Sequence, residues 1–243
     1  MAVITISRGS YSGGKAVAEQ LGARLNHPVF SREQALLQAA EQYGISEREL
    51  TETLNQPPPF WQQVLGKRLA YVKCVTAVLL DHVRQGGLVY HGNVGHLLLA
   101  GVPHVLRVRV IAGLEQRITA AMAQSGLNRE QAIAHIQRVD HERSKWAQVL
   151  YGVDWNDPGQ YDVILNLEHL SAESACETIA RMTGLKEFQP SPRKPSTSRG
   201  RQPEFKGVGR DGEQPAHAQR RSGSHRPRRQ RDHHRQCRLH QGG

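Results

Sequence analysis

Cysteine is scarce. The chain holds three in 243 residues, Cys74, Cys176 and Cys237, far apart and without a C-x-x-C pair. That spacing excludes a disulfide framework and a structural zinc site, and it suits a reducing compartment. Long apolar runs are missing as well. No stretch approaches the roughly 20 residues that a membrane-spanning helix needs. The N-terminus lacks the basic-then-apolar layout of a secretory leader and goes directly into a strand-like run. These absences give the expectation of a cytoplasmic protein with no membrane partner. Net charge is absent from most of the chain. The total is +10, but residues 186–243 hold 15 Lys and Arg against 5 Asp and Glu, which accounts for all of it. The first 185 residues hold 17 of each sign. The high pI therefore belongs to the tail and gives no ground for reading the rest as a nucleic-acid binder.

What is present begins at the N-terminus. Val3–Ile6 is a short β-type run that enters a turn rich in Gly and Ser. The turn ends in Gly14-Lys15 and opens onto a segment with helical periodicity. Gly9 and Gly14-Lys15 have the G-x-x-x-x-G-K spacing of a phosphate-binding loop. Glycines let consecutive backbone N–H groups turn inward as an anion nest, and the following helix points its positive end at the same place. Lys15 adds a mobile point charge for the outer phosphates. The candidate phosphate contacts are Gly9, Ser10, Ser12, Gly13, Gly14, Lys15 and Ala16. The pattern usually closes with a Ser or Thr that takes magnesium; here Ala16 and Val17 follow the lysine. The alternative is a Gly-rich strand-to-helix turn in some other α/β protein.

The chain then alternates. Gly14 to Leu25 reads as a helix with Val17, Ala18, Leu21 and Leu25 on one face. Val29-Phe30 is a short strand. Ser31 is an N-cap for a helix from Arg32 with Ala35, Leu36 and Ala39 inward. Ser46 and Glu49 have capping-box spacing for a helix to about Leu54. Pro57-Pro58-Pro59 breaks the chain, and a long helix is expected from about Trp61 to Arg84. Leu88–Tyr90 is strand-like, His96–Ala100 a short helix, and Val105–Ile111 a clear strand. Gly113–Ala123 and Asn128 to about Val149 read as helices, Gly152–Gly159 as a loop, Tyr161–Leu165 as a strand and Ser171–Met182 as the last helix. Strands alternating with helices predict an α/β domain with a mainly parallel sheet, binding ligand at the carboxyl ends of its strands.

Beyond about Lys186 the periodicity stops. Arg, His, Gln and Gly dominate, with almost no apolar residues. Such a segment cannot bury enough surface to offset its ordering entropy, so the reading is a domain over 1–185 and a disordered basic tail over 186–243. The tail is open to three readings: a solvated end, a C-terminus read in a shifted frame, or a segment that takes nucleic acid through phosphate contacts.

Three stretches together carry a resemblance. They are Ile4-Thr-Ile-Ser-Arg with Ser12-Gly-Gly-Lys and Val17-Ala-Glu-Gln-Leu21; Gly87-Leu-Val-Tyr-His-Gly-Asn with Val105-Leu-Arg-Val-Arg-Val; and Asp140-His-Glu-Arg143 with Tyr151-Gly-Val-Asp-Trp155, Asp157-Pro and Tyr161-Asp-Val-Ile-Leu-Asn166. In order and spacing they resemble the cytidylate-kinase-like family, relatives of the nucleoside monophosphate kinases, over about residues 2 to 184. The resemblance implies a P-loop kinase-like parallel sheet flanked by helices, with a helical acceptor and lid region. It implies phosphoryl transfer from ATP, with Mg2+, to a small nucleotide such as CMP or dCMP. Lys15 and the amides of Gly13 and Gly14 would hold the donor phosphates, and Arg143 would be a lid arginine closing on them. Arg138 and Arg117 are possible helpers. Arg32, Gly92 and Asn93 fall where the family contacts its acceptor. Asp140 and Arg143 are equally readable as an i, i+3 pair on a solvated helix face. Asp162 reads as a tether for the Asp154–Asp157 loop, Asn166 lies near the end of the last strand, and Tyr151, Trp155 and Tyr161 read as packing residues.

The departures from the family are as specific as the matches. Ala16 and Val17 replace the hydroxyl after the loop lysine. Gly92-Asn93, with His91 before it, replaces an Asp-Arg or Gly-Arg turn, and Ser31 stands where Asp is common. Ser10 or Ser12 is a candidate substitute for the lost hydroxyl. Two other function classes stay open beside the kinase: a non-catalytic nucleotide-binding module and a nucleic-acid-associated protein acting through the tail.

Overall fold

β1 (Val3–Arg8) is hydrogen-bonded on both sides, and the rest of the chain is layered around it. The computed structural model describes residues 1–55 and 63–190. After β1 come α1 (Gly14–Leu25), β2 (Val29–Ser31), α2 (Arg32–Tyr43), α3 (Glu47–Asn55) and α4 (Gln63–Gln85). Then follow β3 (Leu88–Gly92), α5 (Gly95–Leu98), β4 (Val105–Ile111), α6 (Leu114–Ser125), α7 (Arg129–Tyr151), β5 (Val163–Asn166) and α8 (Ala172–Thr183). The sheet is parallel throughout in the order β2-β3-β1-β4-β5. Thr5 of β1 lies between Tyr90 and Arg107, and Ser7 between Gly92 and Arg109.

A parallel sheet must be covered on both faces, and the strand sequences read accordingly as nearly continuous apolar runs. Side chains alternate across the sheet. Val3, Leu88, Tyr90 and Val105 face one side, against Leu36 of α2, Leu50 of α3 and Leu79 of α4. Ile4, Ile6, Val89, Val108 and Val110 face the other, against Val17 and Leu21 of α1 and Ile179 of α8. α6 and α7 form a hairpin with its own small core of Ile118, Ala121, Ala132 and Ile136, onto which Tyr11 packs. Among the described residues no helix is long and apolar enough to cross a membrane.

The local signals are realised with some corrections. Ser31 caps α2 and Asn128 caps α7, each in a reciprocal capping box with Gln34 and Gln131. At α3 the structure gives half of the expected box: Glu49 N–H donates to Ser46 Oγ at 3.5 Å, while the Glu49 carboxylate instead takes Tyr71 and Lys67. Tertiary partners outcompeted the local cap. The last strand starts at Val163 rather than Tyr161. Asp162 does not tether the 154–157 loop; its carboxylate accepts from Arg107 N–H at 2.8 Å and extends the pairing with β4. The 154–157 loop closes on itself, through Asn156 N–H donating to Asp154. The expected break at Pro57–Pro59, the Trp61 helix start and the tail from 191 onward lie outside the described residues.

Gly22 faces β2 with no room for a side chain: an added Cβ would run into Val29 Cγ2 and lie 3.1 Å from the His27 carbonyl. Gly22→Ala is expected to destabilise the fold by about 1–3 kcal/mol, the cost of overpacking a tight contact. Urea denaturation checks it, and an unchanged midpoint would refute the contact.

Candidate functional site

The glycine-rich loop leaves the carboxyl end of β1, where the chain crosses from β3 on one side to β4 on the other. That switch point is where open parallel sheets bind ligand. Gly13 caps α1 in the left-handed region at φ 80°, which L side chains rarely adopt, and an added Cβ would lie 2.9 Å from Leu167. At Gly14 an added Cβ would lie 2.6 Å from Arg8 Cβ. Tyr11 holds φ 59°, uncommon for a residue with a side chain, and its ring anchors the loop tip to the α6–α7 hairpin. The loop thus needs glycine at 13 and 14 for separate reasons, one conformational and one steric.

The loop serines are already engaged. Ser12 Oγ lies within donating distance of the carbonyls of Gly9 (3.0 Å) and Val110 (3.1 Å). Ser10 Oγ donates to Asp140 at 3.1 Å, and its backbone N–H points to the same carboxylate oxygen at 3.4 Å. Arg117 completes the network, donating to the Ser10 carbonyl at 2.7 Å and to Asp140 at 2.5 Å. Neither hydroxyl therefore stands free in the position that Ala16 vacates.

Asp140 and Arg143 do not pair with each other as a solvated helix pair would. Asp140 takes Ser10 and Arg117, while Arg143 donates to the Arg8 carbonyl at 3.0 Å. Both reach back from α7, Asp140 to the loop and Arg143 to the end of β1. Burial, and then the nearby Arg8, push the Arg143 pKa down to about 10 against the opposing pull of Asp140; it stays a cation at neutral pH.

Two clefts open side by side over the strand ends. The loop cleft, of about 580 Å3, is lined by Ser10 through Ala16 together with Arg8, Glu19, Glu33 and Arg143. The second, of about 390 Å3, brings together Arg8, Arg32, Glu33, Gly92, Asn93, Arg138, Arg143 and Trp146. A recess beside Lys15 adds His91 and Ser31. Residues from three distant parts of the sequence thus converge: Arg32, Gly92, Asn93 and Arg143 share one cleft. Gly92 permits this, since a Cβ there would lie 2.7 Å from Arg32 Cβ at the start of α2. Gly9 and Arg117 fall elsewhere, on a recess of about 370 Å3 behind the loop with Arg109 and Trp155. Arg138 lines the second cleft but is paired with Glu142 at 3.1 Å. Lys15 is exposed and lies 3.7 Å from Glu19.

Among the cleft residues not singled out from the sequence are Arg8, Glu33 and Trp146. The available signal for Arg8 and Glu33 was position, at or just past a strand end on the binding side of the sheet. Burial raises the Glu33 pKa, but the α2 backbone amide, Ser31, Arg8 and Arg32 outweigh it, so the group is held below the usual carboxylate range. No cluster of three or more His, Cys, Asp or Glu among the described residues builds a metal cage. Glu19 and Glu33 are the carboxylates of the loop cleft. Magnesium in phosphoryl-transfer sites is held by one or two carboxylates plus the substrate's phosphates, so this donor set fits a magnesium that arrives with a nucleotide.

The remaining aromatic and polar residues support the site from below. Trp155 and Tyr161 are buried and flank Arg109, which donates to the Trp155 carbonyl at 2.6 Å. Asn166 caps its own turn, accepting from Glu168 N–H at 3.0 Å. Under β1, Ser7 Oγ and His96 Nδ1 share a buried hydrogen bond of 2.9 Å.

A parallel sheet with a glycine-rich loop between its central strand and a helix N-terminus, and an arginine-bearing helical hairpin over that loop, defines a P-loop domain of the kinase type. Residues 3–169 match the cytidylate kinase-like family, and the chain belongs to it. Cytidylate kinase of Ignicoccus hospitalis is 27% identical over 184 residues, covering 75% of this chain and 99% of that one. Uronate isomerase of Corynebacterium glutamicum is 31% identical over 107 residues, covering 43% of this chain and 20% of that protein. The crystal structure of an uncharacterized protein from Eubacterium ventriosum shares the fold, with a TM-score of 0.61 at 16% identity over 76% of this chain and 99% of that one.

His96 gives the site's foundation a pH dependence. Burial, then Arg107 and Arg109, lower its pKa from 6.5 to about 4. The unfolded chain therefore takes up a proton at higher pH than the folded one, and stability falls as pH falls through this window. The expected loss is on the order of 3 kcal/mol between pH 6.5 and 4. Denaturation curves across that range should flatten in His96→Asn; an unchanged pH slope would show that His96 is not the group responsible.

Proposed function

We propose that the protein transfers the terminal phosphoryl group of ATP to a small nucleotide monophosphate, CMP or dCMP in the first instance. One observation carries this reading: the loop cleft and the second cleft meet at Arg8 and Arg143. A donor phosphate over the loop and an acceptor phosphate among the arginines would then be neighbours. Phosphoryl transfer asks a protein for in-line positioning and charge neutralisation more than for covalent chemistry. Lys15 and the amides of Gly13 and Gly14 would hold the donor phosphates. Arg32, Gly92 and Asn93 would take the acceptor, with planar guanidinium groups suited to two phosphate oxygens at once. Arg143 would close on the transferring group from α7. Magnesium, when bound with the nucleotide, supplies neutralisation of the phosphate oxygens, and Glu33 and Glu19 are the residues that would hold it. The pyrimidine acceptor is supported by the similarity to the Ignicoccus cytidylate kinase. Residues 1–185 would form the catalytic unit and 186–243 a basic appendage.

A second reading is favoured by the loop itself. Ala16 offers no hydroxyl, and Ser10 and Ser12 are both engaged within the protein. That combination suits a module that binds nucleotide without turning it over.

ADP release by the full chain, with ATP, magnesium and each of CMP, dCMP, UMP, AMP and GMP, tests both. Turnover with CMP or dCMP is expected, and Lys15→Ala should lower it by roughly 100-fold or more. No turnover, with ATP-dependent thermal stabilisation that Lys15→Ala removes, would establish the binding module instead. ATP affinity unchanged in Lys15→Ala would refute the phosphate-loop assignment.

A further inference from the structure

Arg8 is the cation common to all three recesses over the loop. It lines the loop cleft, the second cleft and the recess beside Lys15. Lys15 borders the loop cleft and the recess; Arg143 borders the two clefts; Arg32 and Arg138 border the second cleft. Neighbouring charges are already committed, Lys15 towards Glu19, Arg138 to Glu142 and Arg117 to Asp140. Among the described residues no carboxylate lies within ion-pair distance of Arg8, and its Nε is buried without a hydrogen-bond partner. Glu33, which borders the same three recesses, faces it from α2 at longer range.

The stem of Arg8 is fixed in three ways. Its backbone is the last register position of β1, opposite Val110. Its carbonyl takes the Arg143 guanidinium at 3.0 Å. Its Cβ packs where Gly14 leaves no space for another side chain. An unpaired guanidinium held by a central strand needs little reorganisation to meet developing charge, and fixed donors of that kind stabilise a transition state most effectively.

We propose that Arg8 is a catalytic residue of the phosphoryl transfer proposed above, and that its guanidinium touches the transferring phosphoryl group and the acceptor's phosphate together. The inference rests on that functional reading. In the step itself an acceptor phosphate oxygen forms a bond to the γ-phosphorus. The bond from that phosphorus to the β-phosphate oxygen breaks, and its electron pair leaves with ADP. A dianionic acceptor phosphate has no proton to lose, so the step needs no general base. It does bring two anions together, and Arg8 supplies the cation between them. With Nε buried, its two terminal amino groups form a planar fork that can serve an oxygen on each side.

The test uses the full chain with Arg8→Gln and Arg8→Lys. The readouts are kcat with the best acceptor, calorimetric affinity for ATP, and affinity for a bisubstrate probe in which adenosine and cytidine are joined by five phosphates. Arg8→Gln should lower kcat and weaken the bisubstrate probe by about 100-fold, while ATP alone changes by no more than about threefold. Arg8→Lys, which keeps the stem and the charge but not the fork, should recover less than about a tenth of the lost rate. Thermal melts of both variants check the fold, and the lysine variant keeps the test open if the glutamine variant melts early. Turnover within about threefold of the parent in either variant, or equal losses for ATP and the bisubstrate probe, would overturn the role of Arg8 alone. A parent protein that neither turns over nor binds the bisubstrate probe would overturn the phosphotransfer reading and this inference with it.

Discussion

The interaction on which the rest depends is the packing of the Arg8 stem against the start of α1. β1 is paired on both sides, so the place where it ends is fixed in the middle of the sheet. The chain must turn there within a few residues and start a helix directly over the strand end. Gly14 gives the helix room to sit against Arg8, and Gly13 supplies the left-handed turn before it. The same geometry aims the backbone amides and the positive end of α1 at the space above the strands. A space faced by backbone amides and the close strand–helix approach are consequences of one packing arrangement.

Around that point the protein concentrates positive charge and then restrains most of it. The first 185 residues carry no net charge, yet Arg8, Lys15, Arg32, Arg138 and Arg143 gather over a few strand ends. Like charges at such density lower one another's pKa, as the shifts of Arg32 and Arg143 show after the larger effect of burial. Carboxylates interleave with the cluster: Glu142 on Arg138, Glu19 beside Lys15, and Glu33 among the cleft cations. Dianionic ligands would relieve the repulsion that remains. Under the proposed function, those ligands are the phosphates of the two nucleotides.

Much of this was legible in the sequence, and the rest was hidden for identifiable reasons. Loop spacing, strand–helix alternation and the caps at Ser31 and Asn128 are local signals, and they locate the elements to within a few residues. Side-chain pairing is not local. Asp140 and Arg143 have the spacing of a helix pair, but tertiary partners claim both, the loop's Ser10 for Asp140 and the end of β1 for Arg143. Asp162 reads as a loop tether from its neighbours in sequence, whereas its partner is Arg107 across the sheet. The grouping of Arg32, Gly92 and Asn93 was reached through family resemblance and not through spacing, while Arg143, expected over the donor phosphates, borders their cleft as well as the loop cleft. Arg8 was missed because an arginine ending an apolar strand looks like a boundary residue until the register places it beneath two clefts.

The missing hydroxyl at Ala16 can now be weighed against the surroundings. A loop Ser or Thr fixes magnesium, and magnesium spreads the charge of the phosphate oxygens. Where that fixed ligand is absent, the same work falls to whatever cations and carboxylates border the phosphates. In this loop the serines cannot be recruited without breaking Ser12's ties to Gly9 and Val110 or Ser10's tie to Asp140. Arg8 and Glu33 need no such rearrangement, for both already border the loop cleft and the second cleft. One is a cation with no ion-pair partner among the described residues, and the other is a carboxylate held in its ionised form. The loss of the loop hydroxyl is therefore compatible with turnover if charge neutralisation has moved from the helix N-terminus to the strand ends of β1 and β2.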